Sequence, residues 1–338
     1  MSRGRGPRSP RTPRGLLDRS ALVAASVTVL SLAASGCVVV HGEREVLPAA
    51  TRAEAAEALR DFTAAYNEAD KAYDRSLDAD YVTGALGAID AARLDAGREV
   101  NPAGNPSYVP LEFTDTRFTI PKKAGWPRWF VADSDANKGD EARWLLVFTR
   151  SNVAEPWAVA YLTLLDPDDV PAFKTDQAGW AEPVTANSAE LAVAPKDLSE
   201  DYATFLKDGG GDVFAPGVHT SAWVAQRKKS AIKPGLVTQY IDEPLVKDDF
   251  APLGLRTADG GALVFFATHH YEKQTAALGT SIPTPSDSVL ALTKGEIKQS
   301  LTLEFVSNQA VLDPAKGSAS QGVEFLSRIQ GLTAAQGE

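Results

Sequence analysis

The chain has 338 residues, with 34 Lys and Arg against 44 Asp and Glu, for a formal net charge of −10. That balance argues against a nucleic-acid partner, because phosphates are held by Lys and Arg. The content, 44% hydrophobic and 23% charged, is that of an ordinary globular protein rather than a disordered or fibrous one.

The basic residues are concentrated at the start. Arg3, Arg5, Arg8, Arg11, Arg14 and Arg19 face one acid, Asp18, and Ala21–Cys37 (ALVAASVTVLSLAASGC) follows without a charge. A basic head, an apolar middle and small residues before a processing point form the pattern of a secretory signal. Ser35-Gly36-Cys37 resembles the lipobox of bacterial lipoproteins, in which the cysteine thiol receives diacylglycerol and becomes the new N-terminus. The sequence departs from that pattern at Ala34, where leucine is usual. Cys37 is the only cysteine, so no disulfide can form within the chain, and a lone thiol in an exported protein needs a use. Lipidation supplies one, and two or more acyl chains, palmitate among them, hold a protein stably at a membrane. The alternative is an uncleaved anchor, since the 20 uncharged residues from Ala21 to Val40 just reach the roughly 20 needed to span a bilayer. Both readings leave the arginines inside and the body outside. The first 36 residues carry six Arg and one Asp, so removing them takes the net charge from −10 to −15. Such a body avoids an anionic membrane surface except through its lipid.

Val38 to Ala50 reads as a tether. Thr51 and Glu54 have capping-box spacing, and Leu59, Phe62, Tyr66, Ala69 and Tyr73 predict a helix behind them. A second helix is expected from Asp80 to Ala96, with Gly97 as its stop, followed by a Pro-, Gly- and Asn-rich loop over 98–110. Strands are expected at 111–120, 128–132, 143–150 and 157–165, and short polar turns between them imply antiparallel neighbours. Residues 176–196 lack a period and read as a linker. The order then restarts, with a D-x-x-E cap at Asp197–Glu200, a loop at Gly209–Gly211 and a helix over 220–229. Strands follow over 235–241, 253–257, 262–271 and 297–307, and Val323, Leu326 and Ile329 suggest a closing helix over 322–331.

ARWLLVFTR (142–150) can be set beside GALVFFATH (261–269), and 157–165 beside 301–305. The shared order of elements predicts an α+β protein of two tandem modules, 51–175 and 197–338, each with helices packed on one face of an antiparallel sheet. That order resembles the cystatin-like and NTF2-like superfolds, a likeness that carries no chemistry. The segments VHGERE, WPRWFVAD, WLLVFT, QYIDEPL, GALVFFATHH, KQSLTLE and EFLSRIQGL also resemble a family of uncharacterised actinobacterial lipoproteins. The resemblance implies location at the membrane and brings no catalytic residue with it.

Asp133, Asp135 and Asn137 have the 1, 3, 5 spacing of a calcium loop, but Gly139 falls one place late and Trp144 stands where a bidentate acid is required. A solvated hairpin loop is the simpler reading, and no metal or other cofactor is assigned. His269 and His270 are adjacent on an expected strand, so only one can face inward and the two cannot chelate one ion. An acid–base role for either, with His219, is weighed against an ordinary core or surface histidine. Ser230-Ala231-Ile232-Lys233 has the S-x-x-K spacing of penicillin-recognising enzymes, but Pro234 follows and the partner motifs are missing. Trp126 and Trp129 could stack on a sugar or peptide, against the commoner role of core filling. The favoured expectation is a membrane-anchored binding or interaction module for an envelope protein or cell-wall component. A cavity-based hydrolase or isomerase and a ligand-free spacer are the alternatives.

Overall fold

Thr51 opens the first helix, α1 (Arg52–Ala72), through the predicted capping box. The Glu54 N–H donates to Thr51 Oγ1 at 3.1 Å, and the Thr51 N–H donates to Glu54 Oε2 at 2.8 Å. The computed structural model describes residues 45–319 and 322–338; the leader, the apolar stretch and Cys37 lie outside the described residues. The second helix, α2, covers Gly84–Val100. It starts later than Asp80 because Asp78 to Tyr81 closes a turn, with the Tyr81 N–H on the Asp78 carbonyl at 2.8 Å. Gly84 has φ +53 with the Asp249 carbonyl packed where a side chain would stand, a place only glycine fills without strain.

Four strands follow, β1 (Phe113–Thr119), β2 (Arg128–Ala136), β3 (Arg143–Arg150) and β4 (Ala158–Leu165), which pair antiparallel in chain order. Helices α3 (Leu198–Asp208) and α4 (Ser221–Ser230) come next. The second sheet has eight strands. Its long members are β5 (Leu236–Leu245), β6 (Leu253–Arg256), β7 (Ala262–Ala276), β8 (Ser300–Asp313) and β9 (Glu324–Gly337), with a short helix α5 (Asp287–Leu292) after β7. One edge of β7 is shared end to end, by β6 at 262–265 and by β5 at 267–276. The Ser199 hydroxyl of α3 sits where they part, donating to the Ala267 carbonyl at 2.5 Å and accepting from the Leu245 N–H at 3.0 Å.

The expected α+β class and antiparallel sheets are present, but the sheet faces are used differently. On β2 and β3, Phe130, Ala132, Leu146 and Phe148 pack against α1, whereas Val131, Leu145 and Val147 turn to the other side. There they meet Leu263, Phe265 and Ala267 of β7 and Val306 and Ala310 of β8. Val264 and Phe266 face the other way, onto Leu198, Tyr202 and Phe205 of α3. The two sheets therefore pack face to face with helices on the outside, and α2 lies against strands of both. Strands buried on both faces read as unbroken apolar runs, which accounts for WLLVFT and ALVFFA. Asn308 of β8 donates from Nδ2 to the Leu162 carbonyl of β4 at 2.7 Å, and the Tyr161 hydroxyl donates to the Ala251 carbonyl at 3.0 Å.

Three expectations are corrected. The closing helix expected over 322–331 is absent, and residues 324–331 of it belong to strand β9. The end of the expected tether is packed, since Leu47–Pro48 pairs with Lys122–Lys123 and Ala49 and Ala50 are buried. Within 176–196, Pro183–Val184 pairs with β6, and Ala181 and Leu191 are buried, so this stretch is laid along the body.

Candidate functional site

The helix-covered face of the second sheet changes character along β7. Val264 and Phe266 are core, whereas Thr268, His270, Glu272 and Gln274 continue the same face with polar groups. Thr268 and Ser307 share a hydrogen bond at 3.0 Å, and Gln309 donates from Nε2 to both, at 2.9 and 2.7 Å. This buried polar row separates the apolar core from a charged cluster.

His270 is fully buried and stands opposite Asp242 on β5 and Phe305 on β8. Arg227 of α4 grips Asp242 with two bonds, Nη1 to Oδ2 at 2.7 Å and Nη2 to Oδ1 at 3.0 Å. Their side chains are only 6% and 1% exposed. From β9, Arg328 places Nη2 3.1 Å from His270 Nε2, and Gln330 Oε1 lies 3.0 Å from the same nitrogen. The guanidinium can only donate and the amide oxygen can only accept, so these two partners ask opposite roles of Nε2. Burial first, and the Arg328 and Arg227 charges second, push the imidazole down to about 3. His270 is therefore neutral across the physiological range.

Both guanidinium groups stack on one indole, with Arg328 4.7 Å and Arg227 5.1 Å from the Trp223 ring centre, and Arg227 also lies 4.9 Å from the Tyr240 ring. Burial and the neighbouring Arg227 charge lower the Arg328 guanidinium from its usual value. Burial raises the Glu272 carboxyl against the pull of the two arginines. Four nitrogens here are buried without a partner among the described residues: Arg227 Nε, Arg328 Nε, Trp223 Nε1 and His270 Nδ1. The two Arg Nε atoms and Trp223 Nε1 are donors, and unmet buried donors are costly. A cleft of about 430 Å3 continues the face, lined by Thr238, Tyr240, Glu272 and Gln274 with Leu301 and Leu303. The surplus of donors suits a ligand rich in acceptor oxygens, since planar guanidinium groups match carboxylate and phosphate edges.

The predicted site residues distribute unevenly around this cluster. His219 is half-buried with its ring 6.3 Å from Phe325, and burial and the nearby Arg328 lower it. His269 lies on the opposite strand face, bonded through Nδ1 to the Tyr271 hydroxyl at 3.2 Å. The alternation that separates the histidine pair is thus observed. Trp126 and Trp129 do not converge: Trp129 is 3% exposed in the core between the sheets, whereas Trp126 is at the surface beside Arg128 and Arg150. Asp133 and Asp135 lie on β2 rather than in a loop, and Arg143 occupies the place a cation would take. Its Nε donates to Asp133 Oδ1 and its Nη1 to Asp135 Oδ1, both at 2.7 Å. Asn137 instead accepts from the Glu112 N–H at 3.0 Å and donates to the Pro110 carbonyl at 2.9 Å. The 1, 3, 5 spacing therefore does not gather these three side chains on one point.

The family model described as "Domain of unknown function (DUF8094)" matches residues 46–337. The chain belongs to this family. It is 66% identical over 338 residues, all of both chains, to an uncharacterized lipoprotein of Streptomyces coelicolor. It is 62% identical over the same length to an uncharacterized lipoprotein of Streptomyces avermitilis. A second S. coelicolor protein with that description is 25% identical over 327 residues, 88% of this chain and 90% of the relative. The family is actinobacterial and of unknown function, as the resemblance implied, and its members' description implies anchoring at a membrane. Among the described residues, no helix is long and apolar enough to cross one.

Proposed function

We propose that the chain is an extracytoplasmic lipoprotein, attached through Cys37, whose body binds an acceptor-rich component of the cell envelope at the Trp223–Arg227–Arg328–His270 cluster. The observation that carries this reading is the set of four buried, unmet nitrogens beside an open cleft. The two-module organisation, 51–175 and 197–338 with 176–196 packed along the body between them, belongs to the same reading, because each span runs helix, helix and then antiparallel strands. Binding is favoured over acid–base chemistry by the state of His270. An imidazole pushed down to about 3 is far from the working pH at which a general base is effective.

The anchor is tested by Cys37→Ala. The variant should lose incorporation of labelled fatty acid and leave the membrane fraction, whereas retention of both would refute attachment at that thiol. The site is tested by a photo-crosslinking residue at Gln274 of the full-length protein in living cells, with the same residue at exposed Arg60 as control. A discrete adduct at Gln274 that disappears with Arg328→Gln supports the reading. No adduct at Gln274, or the same pattern at both positions, counts against it.

A further inference from the structure

We propose that the cleft where the body of the chain begins docks on the membrane surface, where Arg128 and Arg150, stacked on Trp126, hold the phosphate of an anionic phospholipid headgroup. The proposal rests on the anchor at Cys37 to bring a membrane within reach, and the site shares no residue with the cluster on the second sheet. Acids outnumber bases in the chain as a whole, yet this cleft has the opposite balance. It encloses about 410 Å3, and its walls include Leu47, Glu54, Trp126, Arg128, Arg150 and Trp180. Glu54 is the one acid among its described lining residues, and that carboxylate already accepts the Thr51 N–H at 2.8 Å. Among the described residues neither Arg128 nor Arg150 stands in an ion pair, nor does Arg52, which is stacked 5.3 Å from the Trp180 ring centre. The field they leave is felt at Lys123, whose ammonium is lowered by burial first and by the Arg128 charge second.

Trp126 is 36% exposed and carries both guanidinium groups. Arg128 and Arg150 each lie 5.7 Å from its ring centre, and Arg150 also lies 4.5 Å from the Trp157 ring. Arg150 Nε is buried without a partner, and no described residue accepts from its outer nitrogens. A stacked guanidinium keeps its N–H edge for an oxygen ligand, and that edge matches a phosphate.

Two further features favour a membrane over a free anion. Arg128 donates from Nη1 to the Leu47 and Pro48 carbonyls at 3.2 and 3.3 Å, so the residues that follow the anchor form part of the cleft wall. Leu47 is the tenth residue after Cys37, and ten residues extend over at most about 36 Å. The rim is also apolar, since Val46, Leu47 and Trp126 are all exposed. Indoles collect at headgroup level, and each basic residue near the surface adds attraction to anionic lipid. The acidic remainder of the body is repelled, and the attraction stays local because charges are screened over about 8 Å at physiological salt.

The test is reconstitution of the full-length protein into vesicles of phosphatidylcholine, alone or mixed with phosphatidylglycerol. Both carry the same share of phosphatidylcholine spin-labelled on its headgroup, which quenches nearby tryptophan emission. Stronger quenching in the phosphatidylglycerol vesicles is expected. The excess should be lost in Trp126→Phe, in Arg150→Gln, and in the wild type at about 1 M salt, where the screening length falls to about 3 Å. The salt arm holds even where a substitution disturbs folding. Equal quenching in both kinds of vesicle, the result if acids of residues 38–45 or another protein fill the cleft, would overturn the proposal. So would an excess that survives both substitutions, or one abolished by inorganic phosphate at constant ionic strength, which would mark a site for a free anion. Flotation with phosphatidylcholine vesicles, whose headgroups have no net charge, reports the anchor alone. Protein that floats there without the excess keeps the anchor and loses this site, and an excess without such flotation does the reverse.

Discussion

Asp242→Ala should lower the free energy of unfolding by about 3–5 kcal/mol, the cost of leaving a buried charge without its partner. Among the described residues Asp242 is the only acid in an ion pair with Arg227, and the Glu272 carboxyl that also feels this arginine is raised by burial. The Arg227 side chain is 6% exposed, its Nε is already unmet, and Arg328 brings a second positive charge against the same indole. In urea the unfolding midpoint should fall while the slope is retained, because the surface exposed on unfolding hardly changes. The paired replacement Arg227→Met with Asp242→Leu should recover most of the loss, since matched apolar side chains can stand in for a buried ion pair. A single Asp242→Ala variant within about 1 kcal/mol of wild type, the range of exposed pairs, would show that the pair is not desolvated as described.

Arg143→Ala should be comparably damaging, again about 3–5 kcal/mol, and its effect should centre on the first sheet. Arg143 and Asp133 are 5% and 6% exposed, so the carboxylate cannot turn to water when the guanidinium goes. The same side chain also fixes an irregularity. The register between β1 and β2 shifts between Thr114 and Arg117, and Asp115 within it has φ +44. Arg143 holds that bulge through Nη1 to Asp115 Oδ2 at 3.0 Å and Nη2 to the Asp115 carbonyl at 2.9 Å. Hydrogen exchange should therefore quicken at the β1 amides first. Arg143→Lys keeps the charge but loses the planar fork, and should recover less than half of the stability lost in Arg143→Ala. Exchange that quickens evenly over both sheets would contradict this assignment.

Local rules made much of the fold readable. The capping box at Thr51 and Glu54 marked a helix start, and the long apolar runs marked central strands. Strand β9 was hidden by its own irregularities. Its pairing with β8 shifts register between Ala310 and Val311 and again between Glu304 and Phe305, so one residue is inserted at each place. An inserted residue breaks the two-residue alternation, and Val323, Leu326 and Ile329 fall three apart as in a helix. The candidate site was legible only at His270. Arg227 sits in QRKKS, which looks like a solvated helix end, and Asp242 and Arg328 are ordinary charges on strands until β5, β7, β8 and β9 are laid side by side.

The face-to-face packing of the two sheets makes each half the other's shield from water. Trp129, Val131, Leu145, Val147 and Tyr161 on one side, and Leu263, Phe265 and Ala310 on the other, are almost wholly hidden only because both halves are present. A chain interrupted near residue 175 would carry its share of that surface bare, and contiguous apolar patches of this kind drive aggregation. During synthesis the first sheet emerges long before β7 and β8 exist to cover it. The interval until they arrive is the period in which this protein most needs protection from self-association.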